Sequence, residues 1–580
     1  MISYRITIAE PHAHAFDVTV RVPDPAPDQR LGLPVWIPGS YLVREFARHL
    51  SGLEARQGDR RVELQQLDKA SWRAACRGRG ALVVRYRVHA YDTSVRGAYL
   101  DAARGFVNPA CVCLRVEGRH DEPHALTIGA LPSRWEIAAA LPPAKGNVLT
   151  AADYDELADT PIELGRFRRT AFEAGGVPHE LVVTGAWPDA DLERLRADCA
   201  RICAAQIRFW HGDGDDAQAP PFARYLLLLN LVEDGHGGLE HRASTALLAA
   251  RRDMPVRGRA ETSDGYAKLL GLVSHEYFHA WNVKRLRPIE LATIDYAREN
   301  YTTLLWFFEG FTSYYDDLIV LRAGLIDAAR YLQLVARNVS AVLGTPGRLV
   351  QSLAQASFDA WVKFYRSDEN TPNATISYYA KGALVALALD LTLRREGRGT
   401  LDDVMRRLWA ASGHGGPIGE YDIRAALREV GGRAYDTELD AWVHGTDDPP
   451  LADLFDAFGV QWQAAPATLA QRLGVRVAES ALTGIKVSHV LRGGAAERAG
   501  IAPGDEVLAV QGWRVRRLDE ALHVLEPGQP VPLLVARDQR VLGLELVLPD
   551  PAEAGGSVAL QIVAEPSAPA RARRQAWLGS

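Results

Sequence analysis

The sequence lacks the features that mark secreted, membrane-spanning and nucleic-acid-binding proteins. Its five cysteines among 580 residues are an odd number, and the close pairs Cys111 with Cys113 and Cys199 with Cys203 lack a second ligand pair at zinc-site spacing, so we expect buried thiols. The longest apolar runs, 225–229 and 383–389, are far shorter than the roughly 20 residues that a membrane-spanning helix needs. A formal net charge of −6 offers no basic surface for nucleic acid or for a membrane.

The beginning of the chain also lacks a secretory signal. Residues 1–16 alternate polar and apolar side chains and have neither a basic segment nor an apolar one. We therefore expect a cytoplasmic location without nucleic acid or membrane partners. A composition of 47% hydrophobic and 24% charged residues is ordinary for a globular protein, and the length predicts about three or four domains.

The hydrophobic pattern changes several times along the chain and predicts a multidomain α+β protein. Short alternating segments separated by Pro, Gly and Asp over residues 1–170 predict an N-terminal β-sandwich domain. Mixed strand and helix patterns over 171–320 give way to helical periodicity over 321–460. Short strands return over 461–550, and the tail 551–580, rich in Ala, Pro and Arg, is expected to be partly disordered.

An HExxH sequence is the main chemical signal. It lies within a helix predicted over about residues 264–281, with Ser263 as a candidate to cap its start. His275 and His279 are one helical turn apart and project from one face, where their imidazoles could share a metal ion. The alternative is a pair of exposed histidines. Glu276 lies beside them and is a candidate general base.

A third metal ligand is predicted in a strongly apolar segment. Residues 301–315 are predicted to form a helix whose only acidic residue is Glu309. An ionised carboxylate in such surroundings costs several kcal/mol unless it meets a cation. A catalytic zinc needs three protein ligands and one open position. His275, His279 and Glu309 are therefore predicted to bind one zinc ion, and Glu276 to take a proton from the zinc-bound water.

Two further segments carry candidate substrate-binding groups. After a strand predicted at 225–231, Gly237 and Gly238 let the backbone approach a ligand beside Glu240, which indicates an edge strand along a substrate cleft. Glu240 would hold a peptide α-ammonium, and the alternative is a surface carboxylate. Tyr379 follows a polar loop and could donate a hydrogen bond to the oxyanion of the transition state. The alternative is a core tyrosine at a helix start.

Two other clusters are interpreted as structural. The Trp-Ile-Pro-Gly-Ser-Tyr segment at 36–41 is interpreted as a packed corner, with a role in shaping the active-site mouth as the alternative. Lys284, Arg285 and Arg287 follow the predicted HExxH helix, where cations are favoured by the helix dipole. A contact between one of these cations and substrate is the alternative.

Several ordered motifs together resemble the glycyl aminopeptidase family of gluzincin zinc metallopeptidases. The motifs are Gly237–His241, His275–His279, Trp306–Gly310 and Tyr378–Gly382, with the segments 36–41 and 345–348. The resemblance covers nearly the whole chain. It implies that the β-sandwich is followed by a thermolysin-like catalytic domain, an α-helical domain and a PDZ domain, within the boundaries given above. It also implies a zinc exopeptidase that releases N-terminal glycine or alanine from peptides with a free N-terminus.

The C-terminal strands resemble a PDZ domain of the protease-associated type. Such a domain could bind a peptide C-terminus as an added strand beside residues 473–475. Two alternatives to the aminopeptidase remain: a PDZ-guided zinc endopeptidase, and a peptide-binding scaffold with a vestigial metal site. Larger relatives have Gly-Ala-Met-Glu-Asn where this chain has Gly-Gly-Leu-Glu-His, so the family's role carries over to Glu240 and is left open for His241. Asp316 could support a zinc ligand, because Ser313 stands where thermolysin-like enzymes can place an acid.

Overall fold

The computed structural model describes residues 1–141, 143–213, 218–480, 482–550 and 556–579, and the chain divides into two units. The first unit comprises Met1–Tyr301, Tyr315–Leu325 and Trp409–Ile418, and the second comprises Thr302–Tyr314, Ile326–Leu408 and Gly419–Ser580. The multidomain α+β class expected from the sequence is confirmed. No helix among the described residues is both long and apolar enough to cross a bilayer.

The first unit contains most of the strands. They are β1 Ile2–Glu10, β2 Ala15–Val22, β3 Asp28–Gly32, β4 Leu50–Gln57, β5 Arg60–Val62, β6 Leu64–Gln66, β7 Ser71–Ala75, β8 Leu82–His89, β9 Ala98–Leu100, β10 Arg104–Val107, β11 Arg115–Val116, β12 His124–Ile128, β13 Glu136–Ala139, β14 Val148–Ala151, β15 Ile162–Gly165, β16 Arg168–Ala174, β17 Val177–Thr184, β18 Tyr225–Val232, β19 His236–Glu240, β20 Ser244–Ala250, β21 Arg287–Pro288 and β22 Pro417–Ile418. Its helices include α1 Pro109–Val112, α2 Tyr154–Ala158, α3 Leu192–His211 and α4 Asp264–Phe278.

Three sheets build the N-terminal part of this unit. A seven-stranded sheet has the order β14-β12-β1-β2-β8-β4-β5, and two four-stranded sheets have the orders β13-β15-β10-β9 and β11-β3-β7-β6. Their inward residues, among them Tyr4, Phe16 and Leu126, form one continuous core. The alternation of buried and exposed residues along β2 and β8 is the pattern that predicted an all-β region.

A five-stranded sheet with the order β16-β17-β18-β20-β19 carries the candidate substrate-binding segment. Strand β18 is buried and parallel to both β17 and β20. Strand β19 is antiparallel to β20 and has no second strand partner among the described residues, so it lies at the sheet edge. Helix α4 packs on β19 and β20. Ser263 caps α4 by accepting a hydrogen bond from the Tyr266 amide, as predicted. The expected edge strand is therefore present, and it lies against the HExxH helix.

The second unit is mainly helical and ends in a β domain. The remaining helices are α5 Leu305–Phe308, α6 Gly310–Arg322, α7 Ala328–Leu343, α8 Leu353–Phe358, α9 Thr371–Ala374, α10 Tyr378–Glu396, α11 Leu401–Ala411, α12 Glu420–Gly431, α13 Asp436–Leu439, α14 Leu451–Ala457, α15 Leu469–Leu473, α16 Ala495–Arg498 and α17 Ala568–Leu578; α6 and α11 have residues in both units. The remaining strands are β23 Val460–Ala464, β24 Val475–Ser480, β25 Gly484–Val490, β26 Glu506–Val510, β27 Trp513–Arg514, β28 Pro530–Arg537, β29 Arg540–Val547 and β30 Val558–Ile562. The C-terminal sheet has the order β24-β25-β26-β28-β29, and β27 pairs with β26.

The single helix predicted over 301–315 is wrong in its extent. The helical turn α5 begins only at Leu305, because Thr302 Oγ1 accepts a hydrogen bond from the Leu304 amide and holds a non-helical start. Glu309 ends α5, and α6 then begins at Gly310. A Cβ at Gly310 would overlap the backbone of Gly382 on α10, so glycine permits this close packing of two helices.

The tail over 551–580 was expected to be partly disordered, and its described part, residues 556–579, forms a strand and a helix. Strand β30 pairs antiparallel with β23 along its full length, and α17 follows it. Trp577 is buried and its Nε1 donates to Tyr314 Oη at 3.3 Å. The composition of this segment led us to underestimate its order, because its pairing with β23 and the burial of Trp577 do not show in the average composition. Residues 551–555 and 580 lie outside the described residues.

Candidate active site

The two histidines of the HExxH sequence point their Nε2 atoms at each other across 3.1 Å. Nδ1 of His275 lies 3.1 Å from Asp316 Oδ2, and Nδ1 of His279 lies 2.7 Å from the Asn282 carbonyl oxygen. Because each Nδ1 faces an acceptor, it carries the proton and leaves a lone pair on Nε2. Two lone pairs directed at one point favour a cation there.

Glu309 completes a set of three ligand atoms. One ligand atom from each of His275, His279 and Glu309 lies within 4.8 Å of the others. Two imidazole nitrogens and a carboxylate are a donor set that catalytic zinc uses, with a fourth position left open. The donor chemistry and the facing lone pairs therefore fit a metal ion. Asp316 occupies the supporting position that the sequence left open, through its contact with His275.

Glu276 lies directly against the edge strand β19. Its side chain is only 5% exposed, and a Cβ placed on Gly238 would overlap the Glu276 carboxylate. Any residue other than glycine at this position would displace the carboxylate. The glycine predicted to allow close approach of a ligand thus also makes room for the candidate base.

Glu240 ends β19 and is 4% exposed, so the alternative of a surface carboxylate is wrong. It borders a cavity of about 70 Å³ that Trp36, Gly39 and Tyr41 also line. A Cβ on Gly39 would lie 2.6 Å from Glu240 Oε2, and the φ of +93° at Gly39 independently favours glycine. The 36–41 segment is therefore both a packed corner, with Trp36 Nε1 donating to the Asp295 carbonyl, and a wall of this cavity.

A partly buried carboxylate that the sequence did not identify, with a side chain 15% exposed, holds the segment after Glu240. Asp159 contacts His241 Nδ1 at 3.1 Å, the Arg242 amide at 2.7 Å and Lys284 Nζ at 2.6 Å. Burial acts to raise the pKa of Asp159, but Lys284 and His241 outweigh it and hold that pKa well below its usual range. Nothing in the local sequence around Asp159 distinguishes it from a surface acid, so only its contacts reveal this role.

The basic cluster after α4 is mainly structural, as interpreted from the sequence. Arg285 donates to the carbonyl oxygens of Ala280 and Pro221, each at 2.6 Å, and of Arg242 at 2.9 Å. Lys284 pairs with Asp159. Both Lys284 and Arg287 line the cavity beside Glu240, so contact with a substrate stays open for them.

Tyr379 lies in the first turn of α10, which Ser377 caps. Its hydroxyl lies 3.3 Å from the Tyr365 hydroxyl. Burial, followed by the carboxylate of Glu309 and the phenol of Tyr365, raises the pKa of Tyr379 well above its usual value. Tyr379 is therefore a neutral phenol at physiological pH and can donate a hydrogen bond.

The C-terminal domain has the free strand that peptide capture needs. Within the part of the chain that the structure describes, strand β24 pairs with β25 alone, and it follows Gly474, whose φ of +72° ends helix α15. The 473–475 segment predicted to receive a peptide carboxylate thus leads directly into an edge strand.

All five cysteines are buried thiols that form no disulfide, as expected.

Comparison with known proteins supports this arrangement along most of the chain. Residues 268–385 match the M61 glycyl aminopeptidase family, residues 3–166 match the peptidase M61 N-terminal domain, and residues 461–536 match the PDZ domain. The crystal structure of an aminopeptidase N family protein from Idiomarina loihiensis is 35% identical, covers 100% of both chains and has a TM-score of 0.93. A comparison with curated proteins gives no match.

More distant structures resemble the chain weakly. An M1 zinc metallopeptidase from Deinococcus radiodurans is 17% identical, covers 78% of this chain and 94% of its own, and has a TM-score of 0.47. Legionella pneumophila aminopeptidase A in complex with aspartic acid is 12% identical, covers 94% of this chain and 56% of its own, and has the same TM-score of 0.47. The two M61 matches and the full-length similarity at 35% identity show that this chain is a metallo-aminopeptidase of the M61 glycyl aminopeptidase family.

Proposed function

We propose that this enzyme releases the N-terminal residue of peptides by zinc-dependent hydrolysis, with a preference for glycine or alanine. The observation that carries the proposal is that one edge strand, β19, ends at buried Glu240 and lies against Glu276 at Gly238, two residues earlier. A peptide along this strand would meet the α-ammonium acceptor just before the candidate base. The cleft would therefore place the first peptide bond of the substrate, next to its N-terminal residue, at the candidate base.

One zinc ion per chain would be held by His275, His279 and Glu309. Zinc at such a site supplies Lewis-acid chemistry, polarising the scissile carbonyl and activating water. Glu276 takes the proton from the attacking water and returns it to the leaving amine. Its burial against Gly238 supports this role, because a carboxylate shielded from solvent and fixed in place is a better-oriented base.

Tyr379 donates its phenolic proton in a hydrogen bond to the developing oxyanion. Its raised pKa supports this role, since an ionised phenolate could not donate. Glu240 binds the α-ammonium, and the backbone of Gly237 and Gly238 lies along the substrate. The small cavity closed by Trp36 and Tyr41 supports a preference for a small first side chain.

The test compares Glu240→Ala with the parent on alanyl-alanine amide and on its N-acetylated form. We expect the preference for the free N-terminus to fall strongly in Glu240→Ala, because the buried acceptor for the α-ammonium is lost. Glu233→Ala, which removes an exposed carboxylate shortly before β19, is the matched control and should keep the parent's preference.

An unchanged ratio of free to acetylated cleavage in Glu240→Ala would contradict the exopeptidase proposal. It would favour the second candidate, a zinc endopeptidase to which the PDZ domain delivers substrate, since that enzyme shares the metal site and differs at Glu240. The observation that favours this second candidate is the free edge of β24, where a peptide could bind as an added strand.

A further inference from the structure

One guanidinium of the N-terminal β region reaches the substrate strand. Arg96 Nη2 donates to the Gly238 carbonyl oxygen at 3.0 Å. Its Nη1 would lie 3.6 Å from a Cβ placed on Gly237. Arg96 therefore lies beside the two glycines that face the candidate base and the substrate. Arg96 has no part in the steps of hydrolysis proposed for Glu276, Tyr379 and Glu240.

Arg96 approaches β19 from the edge at which the described residues form no neighbouring strand. Thr245 on β20 donates its hydroxyl proton to the Leu239 carbonyl at 3.2 Å, so the Leu239 carbonyl faces β20. Successive carbonyl groups of a strand point to opposite edges. The Gly238 carbonyl thus faces the free edge of β19, where a bound peptide would lie, and Arg96 contacts it there.

The loop that carries Arg96 is fixed from both sides. The buried Asn108 donates from Nδ2 to the carbonyl oxygens of Val95 at 2.8 Å and Gly97 at 3.0 Å. The Arg96 amide donates to Ser94 Oγ at 3.1 Å. These contacts clamp the residues on both sides of Arg96, so its guanidinium is presented to β19 by an ordered support.

The charge of Arg96 is left without a counter-ion. Within the described part of the chain, its guanidinium forms no ion pair, and its single hydrogen bond is the one to Gly238. Nε is buried and has no hydrogen-bond partner among those residues. A half-buried guanidinium with unused donors beside a substrate strand is suited to a carboxylate, which can accept two hydrogen bonds at once.

The order of groups along β19 gives the direction of the substrate. Glu240 receives the α-ammonium, Gly238 lies at Glu276 where the bond is cut, and Gly237 lies at Arg96. A peptide antiparallel to β19 therefore brings its second residue to Arg96. We propose that Arg96 binds the C-terminal carboxylate of a dipeptide substrate, and the main-chain carbonyl of the second residue in longer peptides. This proposal rests on the proposed role of Glu240.

The test measures kcat/KM for alanyl-alanine and for alanyl-alanine amide, which differ only in the carboxylate. We expect the free acid to be preferred by the parent enzyme. The ratio of acid to amide should fall about 10- to 100-fold in Arg96→Gln, the range expected when a hydrogen bond between charged groups is lost. Arg96→Lys keeps the charge and should retain part of the ratio, whereas Arg85→Gln, at an exposed position on β8, should leave it unchanged.

Equal kcat/KM values for acid and amide in the parent, or the same ratio in parent and Arg96→Gln, would overturn the proposal. Bound metal and melting temperature are measured for each variant, because a general loss of structure would lower both rates without changing their ratio. Failure here is distinct from failure of the aminopeptidase proposal, because the acid-to-amide ratio reports on Arg96 and the free-to-acetylated ratio reports on Glu240.

Discussion

Adding one methyl group at Gly238 should disable the enzyme without unfolding it. The new Cβ would overlap the Oε1, Cδ and Cγ atoms of Glu276, whereas ordinary van der Waals contact begins at 3.4 Å. Glu276 has to withdraw by more than about 1 Å, and a misplacement of that size can lower a rate by about 100-fold. The φ angle of Gly238 is not positive, so alanine adds no backbone strain, and the effect of Gly238→Ala is purely steric.

The assay is kcat for alanyl-alanine amide, with metal content and the melting temperature measured on the same sample. Gly543→Ala is the control, because its Cβ would meet only Leu534 Cδ2 at 4.0 Å. A Gly238→Ala enzyme with normal metal content and a kcat within about threefold of the parent would refute the reasoning, since the threefold change corresponds to less than about 0.7 kcal/mol of barrier. It would mean that Glu276 has room to retreat and is not the positioned base.

Three other predictions concern groups around the same site. Tyr379→Phe should lower kcat by about 100- to 1,000-fold with little change in KM, because the proposed hydrogen bond of the phenol forms only in the transition state; steady-state kinetics on aminoacyl amides measure it. Asp159→Asn should lower the free energy of unfolding by about 3 kcal/mol at neutral pH, since Lys284 loses its partly buried partner; urea titration measures it, with exposed Asp121→Asn as control. Because the folded-state pKa of Asp159 is depressed, its stabilisation is present above the usual carboxyl pKa, and the difference between parent and Asp159→Asn should shrink as pH falls below that range. Removal of the metal with a chelator should abolish hydrolysis and lower the melting temperature, and added zinc should restore both. An activity assay measures the first and scanning calorimetry the second.

The candidate metal ligands could be predicted from the sequence because their chemistry leaves a local signature. The HExxH spacing puts two histidines on one helical face whatever the rest of the fold does, and Glu309 is conspicuous as the only acid in an apolar segment. The structure brings these three side chains together. Strand β18 was also predictable, because its apolar run indicates a buried strand. The edge position of β19 was predictable because its pair of glycines indicates a close approach of another group.

Other contributions to the site come from long-range contacts that no local pattern records. Asp159 is separated from His241 by 82 positions, and Arg96 from Gly238 by 142. An aspartate or arginine in a loop has the same local sequence whether it faces solvent or a substrate strand. The break at Glu309 was missed for a related reason, since the close contact beside it, between Gly310 and Gly382, joins two different helices.

The pairing of β23 with β30 makes the PDZ domain an insertion within a single hairpin. Ala464 at the end of β23 is paired with Val558 at the start of β30, so the chain leaves and re-enters the helical part of the second unit at adjacent positions. Truncation after β23 would therefore strip away β30 and the buried Trp577 along with the PDZ domain. Replacing the intervening segment with a short turn would keep them, so such a variant separates the effect of losing the PDZ domain from damage to the helical core.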